Sequence, residues 1–143
     1  MAKKISVLIV ALALCSTLWH PAWAAPREFS RFKVDVPDGW TAAEAGNTVN
    51  MTANDGSSFV SISLDSLQGK MMEEAAKACA GRLNGSPPRF DSYVDGYIFT
   101  FKNEKGLDAT AVVIGGDNEY FLVTMAGAKQ ARLDGILSSL IGK

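Results

Sequence analysis

The sequence predicts a single α+β domain, an antiparallel β-sheet of about six or seven strands packed against two α-helices. Three observations predict it. Most of the chain from residue 32 to residue 125 alternates apolar and polar residues in short runs, and Gly, Asn and Asp clusters separate the runs. Two segments break that period and repeat apolar residues every three or four positions. Finally, 143 residues, of which 48% are hydrophobic, suffice for one core and leave no room for two.

Residues 1–24 read as a secretory signal peptide. Lys3 and Lys4 form a positive end, and the run from Ile5 to Leu14 is apolar apart from Ser6. Pro21 breaks any helix, and Ala22-Trp23-Ala24 matches the small-x-small pattern that signal peptidase cuts. The apolar run is short of the roughly 20 residues that span a bilayer. Two rival readings are an uncleaved N-terminal anchor and a lipid anchor at Cys15. The bulky Leu14, where a small residue is expected, speaks against the lipid. The mature domain is then residues 25–143, expected in a periplasm or outside the cell.

Cleavage carries consequences for chemistry. It removes two lysines, His20 and Cys15, leaving a net charge of −3, no histidine and one cysteine, Cys79. Without histidine there is no Ser-His-Asp triad, Cys-His pair or histidine zinc site. One thiol cannot close an internal disulfide, so the core alone must hold the fold. The acidic balance argues against a binder that neutralises nucleic-acid phosphates. A charged fraction of 20% and a mean hydropathy of +0.08 argue against disorder.

Along the mature chain, residues 25–30 show no periodic pattern and read as a loose lead-in. Phe32-Lys33-Val34-Asp35-Val36 alternates as a half-buried strand, Pro37-Asp38-Gly39 stops it, and Trp40 follows the turn. Residues 48–53 and 58–64 alternate on either side of Asn54-Asp55-Gly56 and form a β-hairpin. Over residues 68–84 the period becomes helical. Met72, Ala75, Ala76, Cys79 and Leu83 make the apolar stripe, while Gly85 and Pro87-Pro88 end the helix. Four strands follow at residues 89–94, 97–102, 107–114 and 119–125, with turns short enough for consecutive antiparallel pairing. Leu133, Ile136, Leu137, Leu140 and Ile141 then give a second helix over residues 129–140. The order is three strands, a helix, four strands, a helix.

Phe32 to Trp40, an aromatic residue and short strand followed by Pro37-Asp38-Gly39-Trp40, resembles the opening of the PsbP/Mog1-like superfamily. Gly127 followed by Ile136-Leu137-Ser138-Ser139-Leu140 is similar to that group's terminal helix, and the resemblance covers most of residues 29–141. It implies an α/β sandwich, a central antiparallel sheet with helices on its faces. It implies binding and assembly as the theme, without a shared catalytic site. Members include an extrinsic subunit of the photosynthetic oxygen-evolving complex, a partner of a nuclear-transport GTPase and exported bacterial proteins. No set of functional residues transfers, and this chain is shorter than the plant members, so their metal and subunit contacts are not carried over.

Each candidate site competes with a structural role. Trp40 can anchor a partner or plug one end of the core. Asp117, Asn118 and Glu119, with Asp108 near, can offer oxygens to a hard cation or contact a partner, but the spacing of a calcium loop is absent and a solvated turn explains them. Asp35 and Asp38 meet the same objection. Asp91 and Asp95 could serve as a glycosidase pair, yet no cleft is evident for a substrate. Cys79 shares the stripe of Ala75 and Leu83 and reads as a buried thiol, with neither Lys77 nor Arg82 on its face. Gly115-Gly116 lacks the helix start of a phosphate loop. Tyr97, Phe99 and Phe101 share one strand face, which suits a core better than the nucleic-acid platform they suggest with Tyr93.

The expected function is therefore an exported, non-enzymatic binding or assembly module. Trp40, Asp117, Asn118 and Glu119 are its candidate partner contacts. The partner is expected to be another envelope or secreted protein. No cofactor, metal, nucleic acid or membrane span of the mature chain is expected. The alternative is a periplasmic protein that binds a small ligand, in a pocket between sheet and helix, or a metal at the acidic turns. A small enzyme using carboxylates or Cys79 is the third reading, weakened by the missing histidine.

Overall fold

A computed structural model describes residues 25–127 and 133–142. The signal-peptide expectation (residues 1–24) and the beginning of the second helix (residues 129–132) lie outside the described residues. The described elements run β1 (Ala25–Glu28), β2 (Phe32–Val36), β3 (Trp40–Ala45), β4 (Thr48–Ala53), β5 (Ser58–Ser66), α1 (Met72–Arg82), β6 (Arg89–Asp91), β7 (Gly96–Lys102), β8 (Asp108–Gly115), β9 (Glu119–Gly127), α2 (Leu133–Ser139) and β10 (Ile141–Gly142).

Seven strands form one antiparallel sheet in the order β3-β4-β5-β9-β8-β7-β6. Hairpins join neighbours in the chain, and the β5–β9 pairing welds the two halves over nine residue pairs, Ser58↔Gly127 through Ser66↔Glu119. The remaining strands form a separate sheet, β1-β2-β10. This corrects the single-sheet expectation. Two of the strands absent from that expectation lack an apolar alternation. In β1, Ala-Pro-Arg-Glu is held by backbone pairing to β2, from Ala25↔Val36 to Glu28↔Lys33. In β3 only Trp40 and Ala42 turn inward, and the other residues are exposed at the sheet edge.

Cross-strand partners share a face, so the register assigns each core. Val49, Ile62, Val123 and Val112 lie in one row across four strands of the large sheet. Phe32, Val34 and Val36 of β2, and Ile136 of α2, pack on that face. All eight are at most 7% exposed. Burying such side chains stabilises by about 1.5–3 kcal/mol each. On the opposite face, Phe99, Ala111 and Val113 meet Ala75, Ala76, Cys79 and Ala80 of α1. These small side chains let the helix backbone approach the strands closely. Tyr97, Phe99 and Phe101 do share this face, as their alternation predicts.

Local chemistry fixes the element ends. Gln68 and Gly69 take left-handed backbone, with φ of 52° and 76°, so the helix starts at Met72, four residues later than its apolar period suggests. The Glu74 carboxylate accepts the Met71 N–H at 2.9 Å, satisfying an orphan donor of the first turn. At the other end Asn84, just before the Gly85 stop, takes the left-handed angle, φ 51°. Gly85 is small for another reason: a Cβ there would stand 2.7 Å from the Phe99 ring. The next turn repeats the arrangement. Asp95 supplies the positive φ, and Gly96 is pressed against Ile114 and the Val113 carbonyl.

Candidate functional site

Trp40 is 8% exposed and belongs to the core beneath β2. It pairs with Ala53 at the end of the large sheet that holds the β4–β5 turn. Asp117, Asn118 and Glu119 sit at the opposite end, between β8 and β9. Roughly 20 Å of strand separates them from Trp40, so the structure does not bring the four candidates together.

The three turn residues line a cleft of about 390 Å³ with Leu64, Gly115 and Phe121. Asp117 and Asn118 are exposed. Glu119 is tied down: its Oε1 accepts Arg31 Nη2 at 3.0 Å, while Arg31 Nη1 donates to the Leu64 carbonyl at 2.9 Å. The Asn118 carbonyl accepts the Leu67 N–H at 2.8 Å. Half of this turn is thus occupied in holding the β2 and β5 ends.

Two other acidic candidates, Asp91 and Asp108, have local partners. Asp91 Oδ1 accepts the Tyr93 N–H at 2.9 Å and so shapes the β6–β7 turn. Asp108 pairs with Lys102 at 2.6 Å. Among the described residues, no three His, Cys, Asp or Glu side chains cluster to hold a metal ion.

Two surfaces are not evident in the sequence. The first is the β6–β7 corner at the edge of the large sheet. Phe90 is 57% and Tyr93 80% exposed, and the Phe90 ring stands edge-on to Tyr97 with centroids 5.6 Å apart. Next to it, Tyr93 and Val94 with Ile114 and Leu137 line an apolar groove of about 230 Å³. Exposure of the two aromatics follows from strand placement at an edge, which residue type alone does not reveal.

The second lies between α1 and the β5–α1 loop, around Tyr120. Cys79 is fully buried, and its thiol donates to the Tyr120 hydroxyl at 3.7 Å. Arg82 Nη2 donates to the Cys79 sulfur at 3.3 Å. This corrects the expectation that Arg82 stays off the face of Cys79. The two are three positions apart, and a long side chain folds back over one turn. Burial, followed by the bond to Cys79, pushes the Tyr120 hydroxyl up to about 12, so it keeps its proton well into alkaline pH. The contact with the Cys79 sulfur likewise raises Arg82 further above its ordinary value.

No protein-family model matches the chain, and no curated protein matches it in sequence. Solved structures do match. The solution structure of cyanobacterial PsbP from Synechocystis sp. PCC 6803 is similar at a TM-score of 0.52, across 92% of this chain and 99% of that one, with 11% identity. A crystal structure of a Bacteroides thetaiotaomicron VPI-5482 protein is similar at a TM-score of 0.50, across 78% of this chain with 16% identity. The match covers 45% of the Bacteroides chain, less than half its length. With helices set against a mostly antiparallel sheet, the chain has a PsbP/Mog1-like fold.

Proposed function

We propose that the chain is an exported, non-enzymatic binding or assembly module that works through protein–protein contacts, with its layers arranged as an α/β sandwich. One observation carries this reading: Phe90 and Tyr93 stand in solvent beside an apolar groove at the open edge of the large sheet. Exposed aromatics next to a groove are the usual anchors of an interface, because a ring buries much area at small entropic cost. Asp117 and Asn118 lie at the same end of the sheet and would supply polar rim contacts. The signal-peptide pattern of residues 1–24 supports an envelope or secreted protein as the partner.

The experiment is affinity capture from an envelope extract with the wild type and with a Phe90→Ser/Tyr93→Ser variant. A partner held by the wild type and lost by the variant is the expected result. Equal recovery by both proteins would move the interface elsewhere. Recovery of nothing by the wild type would refute the assembly reading.

A further inference from the structure

We propose that the cleft between α1 and the β5–α1 loop binds a small zwitterion, a ligand carrying one carboxylate and one ammonium group as a free amino acid does. The cleft has a volume of about 330 Å³, roughly the share of ten waters in liquid. Asp65, Ser66, Gln68, Lys70, Arg82 and Tyr120 supply its polar lining. Leu67, Ala75 and Ala78 supply an apolar patch of small area.

The two signs of charge come from different elements. Asp65 and Tyr120 are register partners on β5 and β9 and form the strand wall. Arg82 stands on α1 and Lys70 on the loop, and among the described residues neither makes an ion pair. The Asp65 carboxylate is held in place by Asn47 Nδ2 at 2.8 Å. Arg82 is fixed by one nitrogen on the Cys79 sulfur, and its remaining donors can grip a carboxylate. Tyr120 adds a hydroxyl to the strand wall beside Asp65.

The loop that carries Lys70 is itself under strain. Gln68 adopts φ 52°, an angle uncommon outside glycine. Its N–H is tied to Ser66 Oγ at 3.2 Å, and the Lys70 N–H is tied to the Leu67 carbonyl at 2.9 Å. These bonds hold the loop beside the helix, and strain of this kind gathers where a chain is shaped around a ligand. A singly charged ligand would answer one wall and leave the other charge facing it, whereas a zwitterion answers both. This inference stands apart from the partner-binding reading and uses none of its residues.

Thermal unfolding of the purified protein with each of the common L-amino acids tests it, with acetate, methylamine and phosphate as single-charge controls. At least one amino acid should raise Tm while the three controls leave it unchanged. Arg82→Gln and Asp65→Asn should each weaken that amino acid about ten-fold or more, the scale of one charge-assisted hydrogen bond. Lys77→Gln, at an exposed pair with Glu73, should leave binding unchanged. No shift with any amino acid, an equal shift with acetate or phosphate, or full retention in both cleft variants would overturn the proposal.

Discussion

Phe32 of the small sheet meets Phe121 of the large one edge-on, with ring centroids 5.4 Å apart and planes at 87°. The positive rim of one ring points at the negative face of the other, which is the favoured arrangement for a buried aromatic pair. This contact joins two layers that share no strand pairing. Phe32→Ala should destabilise by about 3–5 kcal/mol, through lost burial and the cavity left behind. A double-mutant cycle with Phe121→Leu, read by urea unfolding, should show a coupling of about 0.5–1.5 kcal/mol. Additive effects would mean that the rings merely lie near each other.

Gly127 ends β9 with φ 107°, and a Cβ there would stand 2.1 Å from the Ser57 carbonyl oxygen. No flexible side chain can yield, because the obstacle is backbone. Gly127→Ala should cost about 2 kcal/mol or more, seen as a lower midpoint in denaturant. Gly116→Ala, with open space around its Cβ position, is the control that should cost far less.

Tyr120 gives a pH signature. Its hydroxyl is raised from 10.0 to about 12 in the folded chain, chiefly by burial. Above pH 10 the unfolded state has lost this proton while the folded state keeps it. Stability that is complete below pH 10 should therefore fall as pH rises toward 12. Tyr120→Phe should remove that part of the slope. Denaturant midpoints measured across this range, with both proteins, decide the matter.

Cys79 has no exposed surface. A thiol reagent should therefore modify it only when α1 lifts from the sheet. Labelling at Cys79, followed by mass mapping, should be slow in native buffer and fast in denaturant. Arg82→Ala should speed native labelling, because the guanidinium that touches the sulfur is gone. Rapid native labelling of the unaltered protein would contradict the burial.

Legibility of the fold differed by element, for physical reasons. β2, β4 and β5 bury alternate residues, and that alternation is visible in their letters, whereas β8 and β9 also bury adjacent residues such as Val112 and Val113, because the sheet is covered on both faces there. β1 and β3 are held by backbone hydrogen bonds to a neighbour, which leave no trace in residue type. The helix starts at Met72, later than the helical segment read from residue 68, because Gln68 and Gly69 take left-handed backbone that residue spacing does not reveal. β6 closes after three residues because Asp91 captures the next N–H groups, a competition that residue spacing does not rank. The candidate sites were less legible still. Trp40 can be read as anchor or core, the core being favoured by the area a Trp buries, and Arg82 reaches Cys79 only because its long side chain folds back over one turn.

β2 lies between two strands far apart in sequence, β1 just before it and β10 after α2. Lys33 faces Glu28 across one edge and Ile141 across the other. Its apolar side is completed by Ile136, about 100 residues further along the chain. During synthesis the first layer is therefore left waiting, its central strand half clothed, until residues 133–142 exist.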